Sequence, residues 1–289
     1  MLKEKPNHLE DKIMKKFFAV LLVAALCLTM GVSALAETRL EKIQSAGEIH
    51  LATSPDFAPN EFIDDTKSGQ DQYVGSDIEL AKYIAEKLGV KLVIDAMDFA
   101  AVQAAVTTGT TDMAIAGFAY TAERAEAAQP SIFFNITEDE DNKNQGLLVL
   151  KENAEQFTKA EDFAGKKVAT QNASLQYQLT TTQLPDAKIE LVADLGTAVV
   201  MLTSGKVDAV AVDADNGDLF CHNYDEVTMS DFYFEYSSEG NILLVPKGET
   251  ELIDAINAVL EEVNEQGLYA QWREEATELA KTLGLEVDG

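Results

Sequence analysis

Arg124 in GFAYTAER (117–124) and Asp213 in GKVDAVAVDADNGD (205–218) follow short apolar runs, where a side chain can project from the end of a strand. A guanidinium holds a carboxylate through two parallel N–H bonds, and a carboxylate accepts an ammonium. A cation and an acid presented from two strand ends therefore suit a zwitterion such as an α-amino acid. Taken singly, Arg124 equally fits a surface pair with Glu123 or Glu126, and Asp213 a plain strand terminus. A third stretch, KKVATQNASLQYQL (166–179), reads as a strand, a polar turn and a helix starting near Ser174. Free N–H groups there, with the Ser174 hydroxyl, make an anion-binding corner or an ordinary N-cap.

Strand-like runs alternate with helical ones along the chain, the pattern of α/β architecture with parallel sheets. AVQAAVTTGTTDMAIAG (101–117) and TAVVMLTSGKVDAVAVD (197–213) repeat one unit of apolar helix, Gly turn, Asp and short strand. Aligning Gly109 with Gly205 also aligns Asp112 with Asp208 and Gly117 with Asp213. Two similar lobes follow from this, with Asp112 and Asp208 as turn or cap residues. Ligands of open parallel sheets bind beyond the carboxyl ends of the strands, which directs attention to Gly117 and Asp213. Past Gly117, Thr121 is a candidate N-cap for a short helix containing Arg124. The clearest helix is SDIELAKYIAEKLG (76–89), with a Ser76/Glu79 capping-box pattern, an apolar face from Leu80 to Leu88, and Gly89 as its left-handed stop.

The 289 residues carry 22 Lys and Arg against 50 Asp and Glu, a net charge of -28. Without a basic cluster, a nucleic-acid partner is not expected. MKKFFAVLLVAALCLTMGVSALAE, from Met14, combines two lysines, an apolar stretch and an Ala34-Leu35-Ala36 site, so cleavage of an export signal is expected after Ala36. Residues 1–13 read as an upstream extension, and Leu26 before Cys27 argues against lipid attachment. Cleavage removes five Lys and three acids, leaving 17 basic and 47 acidic residues and a charge of -30. Cys221 then stands alone, and His50 and His222 are too few for a His/Cys metal site, so neither disulfide, metal nor cofactor is expected.

Five segments in order carry a family resemblance: GSDIELAKYIAEKLG, MDFAAVQAAVTTGTTDMAIAGFAYTAER, GKKVATQNASLQ, GKVDAVAVD and NILLVPKGETELIDAINAVLEEVNEQGLYAQW. Over residues 40–275 they resemble the signature, the three ligand-loop regions and the C-terminal segment of family 3 extracellular solute-binding proteins of polar amino acid ABC transporters. Ser76 stands where that signature usually has an aromatic or aliphatic residue. The resemblance implies an α/β, two-lobed periplasmic binding protein fold (type II) with two hinge strands. Residues 37–138 and 240–289 would form the first lobe and 139–239 the second. It implies a periplasmic or extracytoplasmic monomer that closes on a free polar amino acid and delivers it to an ABC transporter permease, breaking no bond.

By the same resemblance, Arg124 grips the ligand carboxylate with help from Ser174, the N–H of Leu175 and the backbone N–H of Ala119, and Gly117 at its strand end is a further ligand-binding position. Asp213 accepts the ammonium, Phe57 and Phe99 flank the ligand side chain, and Ser54 and Gln171 are its polar contacts. Ala119 replaces a Ser or Thr hydroxyl common in the family, and Ser54 replaces an Asp of the histidine- and glutamine-binding members. With no charge among Phe57, Phe99, Ser54 and Gln171, the expected ligand is neutral, glutamine first and a basic amino acid second, although Asp56 and Glu61 lie close in sequence. The architecture also resembles that of periplasmic cyclohexadienyl and arogenate dehydratases, an alternative for which Glu61, Asp56 and Asp213 are the acid candidates.

Overall fold

The computed structural model describes residues 37–136 and 143–285. The expected export signal, Cys27 and the 138/139 lobe boundary fall outside those residues. α1 (Arg39–Ala46) leads into β1 (Glu48–Thr53), the hairpin of β2 (Phe62–Ile63) and β3 (Tyr73–Val74), α2 (Ser76–Leu88) and β4 (Lys91–Ala96). Then come α3 (Phe99–Thr108), β5 (Met113–Ala114), α4 (Ala122–Ala127) and β6 (Gln129–Pro130). The middle of the chain holds β7 (Gln145–Leu150), β8 (Lys167–Gln171), α5 (Leu175–Gln183), β9 (Lys188–Val192), α6 (Leu195–Thr203), β10 (Ala209–Asp213), α7 (Ala214–Asn223) and β11 (Val227–Tyr233). β12 (Leu244–Val245), α8 (Thr250–Gln266) and α9 (Leu268–Thr282) follow.

Two five-stranded sheets organise these elements, in the orders β4-β1-β5-β12-β6 and β11-β7-β10-β8-β9. β1 runs parallel to β4 and β5, and β10 and β9 run parallel to β8, while β12, β7 and β11 supply the antiparallel pairings. Each sheet is buried on both faces, which is why its central strands are near-continuous apolar runs. Along β1, Ile49 and Leu51 enter one core with Ile78, Ile84 and Ile256, whereas Ala52 enters another with Val102 and Val106. In β7, Leu147 and Val149 face one core and Leu148 the opposite one with Val199 and Val210. The chain crosses between the sheets twice, and the crossings lie side by side, Phe134 pairing with Asn241.

The repeated unit reappears in three dimensions. Gly109 and Gly205 both turn the chain with positive φ, 74° and 71°, after α3 and α6. Asp112 donates its N–H to the His50 carbonyl at 3.0 Å, and its Oδ2 accepts the His50 N–H at 2.8 Å. Asp208 repeats the exchange with Lys167, both bonds measuring 2.8 Å. Each aspartate thus starts the pairing of two parallel strands, the turn-and-cap role its position suggested.

One local expectation is corrected. Ser76 and Glu79 form no capping box: Gly75 occupies the N-cap position with no side-chain bond, and Ser76 is the first helical residue. The Ser76 hydroxyl, fully buried, instead donates to the Tyr269 hydroxyl of α9 at 3.1 Å, and Glu79 pairs with Lys82 on the outer face. Gly75 holds φ 125°, and a Cβ there would lie 2.1 Å from the Asn60 carbonyl oxygen, so only glycine brings the two segments this close. Gly89 ends the helix in the left-handed conformation as expected, with φ 72°.

Candidate functional site

Residues at and beyond the strand ends of both sheets line a cavity of about 490 Å³. Hydrogen bonds cross it: Gln103 and Arg124 both donate to the Ala173 carbonyl, at 3.0 and 3.3 Å, and Gln171 donates to Asp56 Oδ2 at 3.2 Å. The lobes therefore meet over the site.

Arg124 sits in α4, whose first turn is capped by Thr121, the hydroxyl accepting the Arg124 N–H at 3.1 Å. Its guanidinium is buried against the rings of Phe99 and Phe118, at 5.5 and 5.1 Å from their centroids. Nε donates to Gln103 at 3.2 Å, NH1 to the Ala119 carbonyl at 2.7 Å and NH2 to Ala173, all neutral acceptors. A guanidinium has five N–H donors, so two have no hydrogen-bond partner among the described residues, and Arg124 lines the cavity. Burial lowers the Arg124 pKa to about 10, and it remains a cation at neutral pH.

Asp213 closes β10 and caps α7, its Oδ1 accepting the Asp215 N–H at 3.1 Å and its Oδ2 a Gln145 N–H at 3.0 Å. Burial first, and the neighbouring Asp215 charge second, push its carboxyl up to about 7. Ser174 caps α5 by accepting the Tyr177 N–H at 3.0 Å, and it lines the cavity with Leu175. That first turn leaves N–H groups without intrahelical partners. Ala173, before it, takes the left-handed φ of 61° that turns its carbonyl toward Gln103 and Arg124.

Phe57, Phe99, Gly117, Ala119 and Gln171 also line the cavity. Phe57 packs against the core of the second sheet, whereas Phe99 meets Phe118 in a tilted ring contact, centroids 5.2 Å apart, with the Arg124 guanidinium over both rings. The Gly117 N–H is committed to Asp77 Oδ2 at 2.9 Å, so Gly117 can offer a ligand only its carbonyl oxygen. Ser54 is the exception among the expected contacts. It is absent from the lining, and its hydroxyl donates to Asp56 Oδ1 at 2.8 Å, so the polar group presented to the cavity is the Asp56 carboxyl.

Asp56 and Glu61 both line the cavity, which reverses the ground for expecting a neutral ligand. Burial raises the Asp56 pKa, opposed by the Ser54 bond. Glu61 is buried beside Asp77, and desolvation first, with the Asp77 charge second, raises its pKa well above the usual carboxylate range. Asp77 in turn accepts the Tyr269 hydroxyl at 2.6 Å and the Gly117 N–H. The second oxygen of Glu61, and the side-chain oxygens of Asn144 and Asn216, are buried lining atoms without a hydrogen-bond partner. Sequence reasoning missed both asparagines: the polar run after Asp213 holds Asn216, and nothing marked Asn144 ahead of β7. It also missed Tyr236 and Arg273, which arrive from the second crossing and from α9.

A two-lobed α/β frame over a cleft that holds a buried guanidinium and several carboxyls has the form of a protein that encloses a small charged solute between its lobes. Residues 49–278 match the bacterial extracellular solute-binding proteins, family 3, and the chain belongs to that family. It is 27% identical over 261 residues to a probable histidine-binding protein of Campylobacter jejuni, covering 89% of this chain and 96% of that one. It resembles the crystal structure of an amino acid ABC transporter substrate-binding protein of Streptococcus pneumoniae bound to L-arginine, with TM-score 0.75, 30% identity, and coverage of 86% of this chain and 100% of that one. A cyclohexadienyl dehydratase of Pseudomonas aeruginosa is 26% identical over 204 residues, 70% of this chain and 73% of that protein. These neighbours carry the type II periplasmic binding protein fold, and the two sheets with their paired crossings have that two-lobed form.

Proposed function

We propose that this protein captures a free polar amino acid with a basic side chain by closing its lobes, and delivers it to an ABC transporter permease. The first lobe would comprise residues 37–138 and 240–289, the second 139–239, and the mature exported form would begin after Ala36. The observation that carries the reading is Arg124: a buried cation with three neutral partners and two donors to spare. An uncompensated buried charge is costly, and a ligand carboxylate supplies the missing anion, joined by Ser174 and the Leu175 N–H. Asp213, with the Gly117 carbonyl, takes the ammonium. Asp56, held by Ser54 and Gln171, takes the cationic end of the side chain, with Phe57 and Phe99 along its apolar part.

Ligand contacts shared by the two lobes give the closed form its advantage, since a ligand shifts an equilibrium only by its differential affinity. The histidine- and arginine-binding relatives support a basic ligand. Calorimetry with arginine, lysine, histidine, glutamine and glutamate tests the reading. Arginine or another basic amino acid is expected to bind most tightly, and glutamate as the best ligand would refute it. A second reading, as a dehydratase, is supported by Glu61, a buried carboxyl in the cleft whose pKa desolvation raises, and by the cyclohexadienyl dehydratase relative. Turnover of prephenate would favour the enzyme; saturable amino-acid binding without turnover favours the receptor.

A further inference from the structure

Arg273 belongs to α9, which packs on α2 and α8 of the first lobe, yet its guanidinium lines the cleft and donates to the Asp215 carboxylate at the head of α7 in the second. The same helix face continues with Ala276 and Ala280, which join Leu219 of α7 in one buried cluster with Ala58 and Phe62. Asp215 is bound to the ammonium-binding candidate itself, because its N–H donates to Asp213 Oδ1 at 3.1 Å. Arg273, Asp215 and Asp213 are thus one chain of contacts running from the first lobe into the cleft wall of the second.

Two carboxylates two residues apart repel each other, and an acid that keeps its proton cannot serve as a charged acceptor for an ammonium. The titratable and charged groups that act on Asp213 are Asp215 on its own helix, Arg273 from α9, and Tyr236 from the second crossing; Gln145 of β7 adds a neutral donor. Arg273 is the cation of that set. Its position depends on lobe closure, since α9 and α7 belong to different lobes.

We propose that Arg273 is a positioning residue that couples closure to ligand recognition: as the lobes meet it clasps Asp215 and favours the ionised, ammonium-accepting form of Asp213. The proposal rests on the reading that Asp213 receives the ammonium. Without Arg273, the lobes lose a contact made only when closed, and Asp213 holds its proton to higher pH.

Calorimetric titration of the full chain with L-arginine between pH 5.5 and 9 tests this in wild type, R273Q, R273K and D213N. R273Q is expected to bind about tenfold more weakly at pH 7 and to recover toward pH 9, its affinity profile displaced upward by about one pH unit. R273K, which keeps the charge, should retain most of the wild-type profile. Equal profiles for wild type and R273Q, or a uniform loss at every pH, would overturn the proposal. If D213N binds as tightly as wild type, the ammonium assignment fails instead, and the proposal with it.

Discussion

Asp77 accepts the N–H of Gly117 at 2.9 Å, tying the first turn of α2 to the loop that floors the cleft. The bond orients the Gly117 peptide, and the residue's φ of 55° lets the chain turn there. A Cβ at this position would lie 2.9 Å from Phe57 Cε1. Gly117→Ala is therefore expected to push Phe57 into the cleft and to weaken amino-acid binding by at least about tenfold, with a stability cost of about 1 kcal/mol for the left-handed backbone. Calorimetry and thermal melts on the same preparation separate the two effects.

Truncating Arg124 removes the only charged partner proposed for the ligand carboxylate. Arg124→Ala should cost about 2 to 5 kcal/mol of binding, which abolishes detectable affinity, while circular dichroism stays native. Retained affinity would return Arg124 to a packing role between Phe99 and Phe118.

The pH dependence of binding follows from Asp213. Its carboxyl titrates at about 7, raised mainly by burial, and a bound ammonium favours the ionised form and lowers that value. Affinity is then fully present above about pH 7 and falls as the pH drops through it, approaching tenfold per pH unit. Asp56, also raised by burial, adds a loss of the same sign. Titrations with L-arginine from pH 8 to 5.5 should release protons on binding at the acid end; a flat profile would contradict the assignment.

On the proposed reading, Asp56 discriminates between ligand side chains. Asp56→Asn is expected to weaken binding of arginine by at least about tenfold, since charge-assisted bonds are roughly twice as strong as neutral ones, and to leave glutamine nearly unaffected. Competition binding measures the ratio, and equal losses for both ligands would remove Asp56 from the side-chain subsite.

Tyr269 reports on stability. Its hydroxyl donates to Asp77 and accepts from Ser76, all three being buried. Tyr269→Phe leaves Asp77 short of a donor and should destabilise the fold by about 1 to 3 kcal/mol, visible as a lowered melting temperature in ligand-free protein.

Features set by neighbours in sequence were legible before the structure. Thr121, Ser174 and Gly89 each act within one helical turn, and the repeat that aligned Asp112 with Asp208 reflects a unit folded twice. Features set across the chain were not. Ser76 has the sequence setting of a cap, but its hydroxyl is taken by Tyr269, 193 residues away. Asp56 takes the cleft position expected of Ser54 because the chain bends at Pro55, the Asp56 N–H bonding back to the Ser54 carbonyl at 2.8 Å. Arg273 carried no local mark, since its place in the cleft depends on how α9 lies against α7.

The neutral surroundings of Arg124 bear on the fidelity of signalling. Its fixed acceptors take three of its five N–H groups and none of its charge, so on the proposed reading closing over an empty cleft would strand a cation that an amino-acid carboxylate would pair. If the protein is the proposed carrier, the closed shape then works as a receipt for cargo. A membrane partner that recognises that shape would seldom be triggered by a receptor carrying nothing, and would not spend nucleotide on an idle stroke.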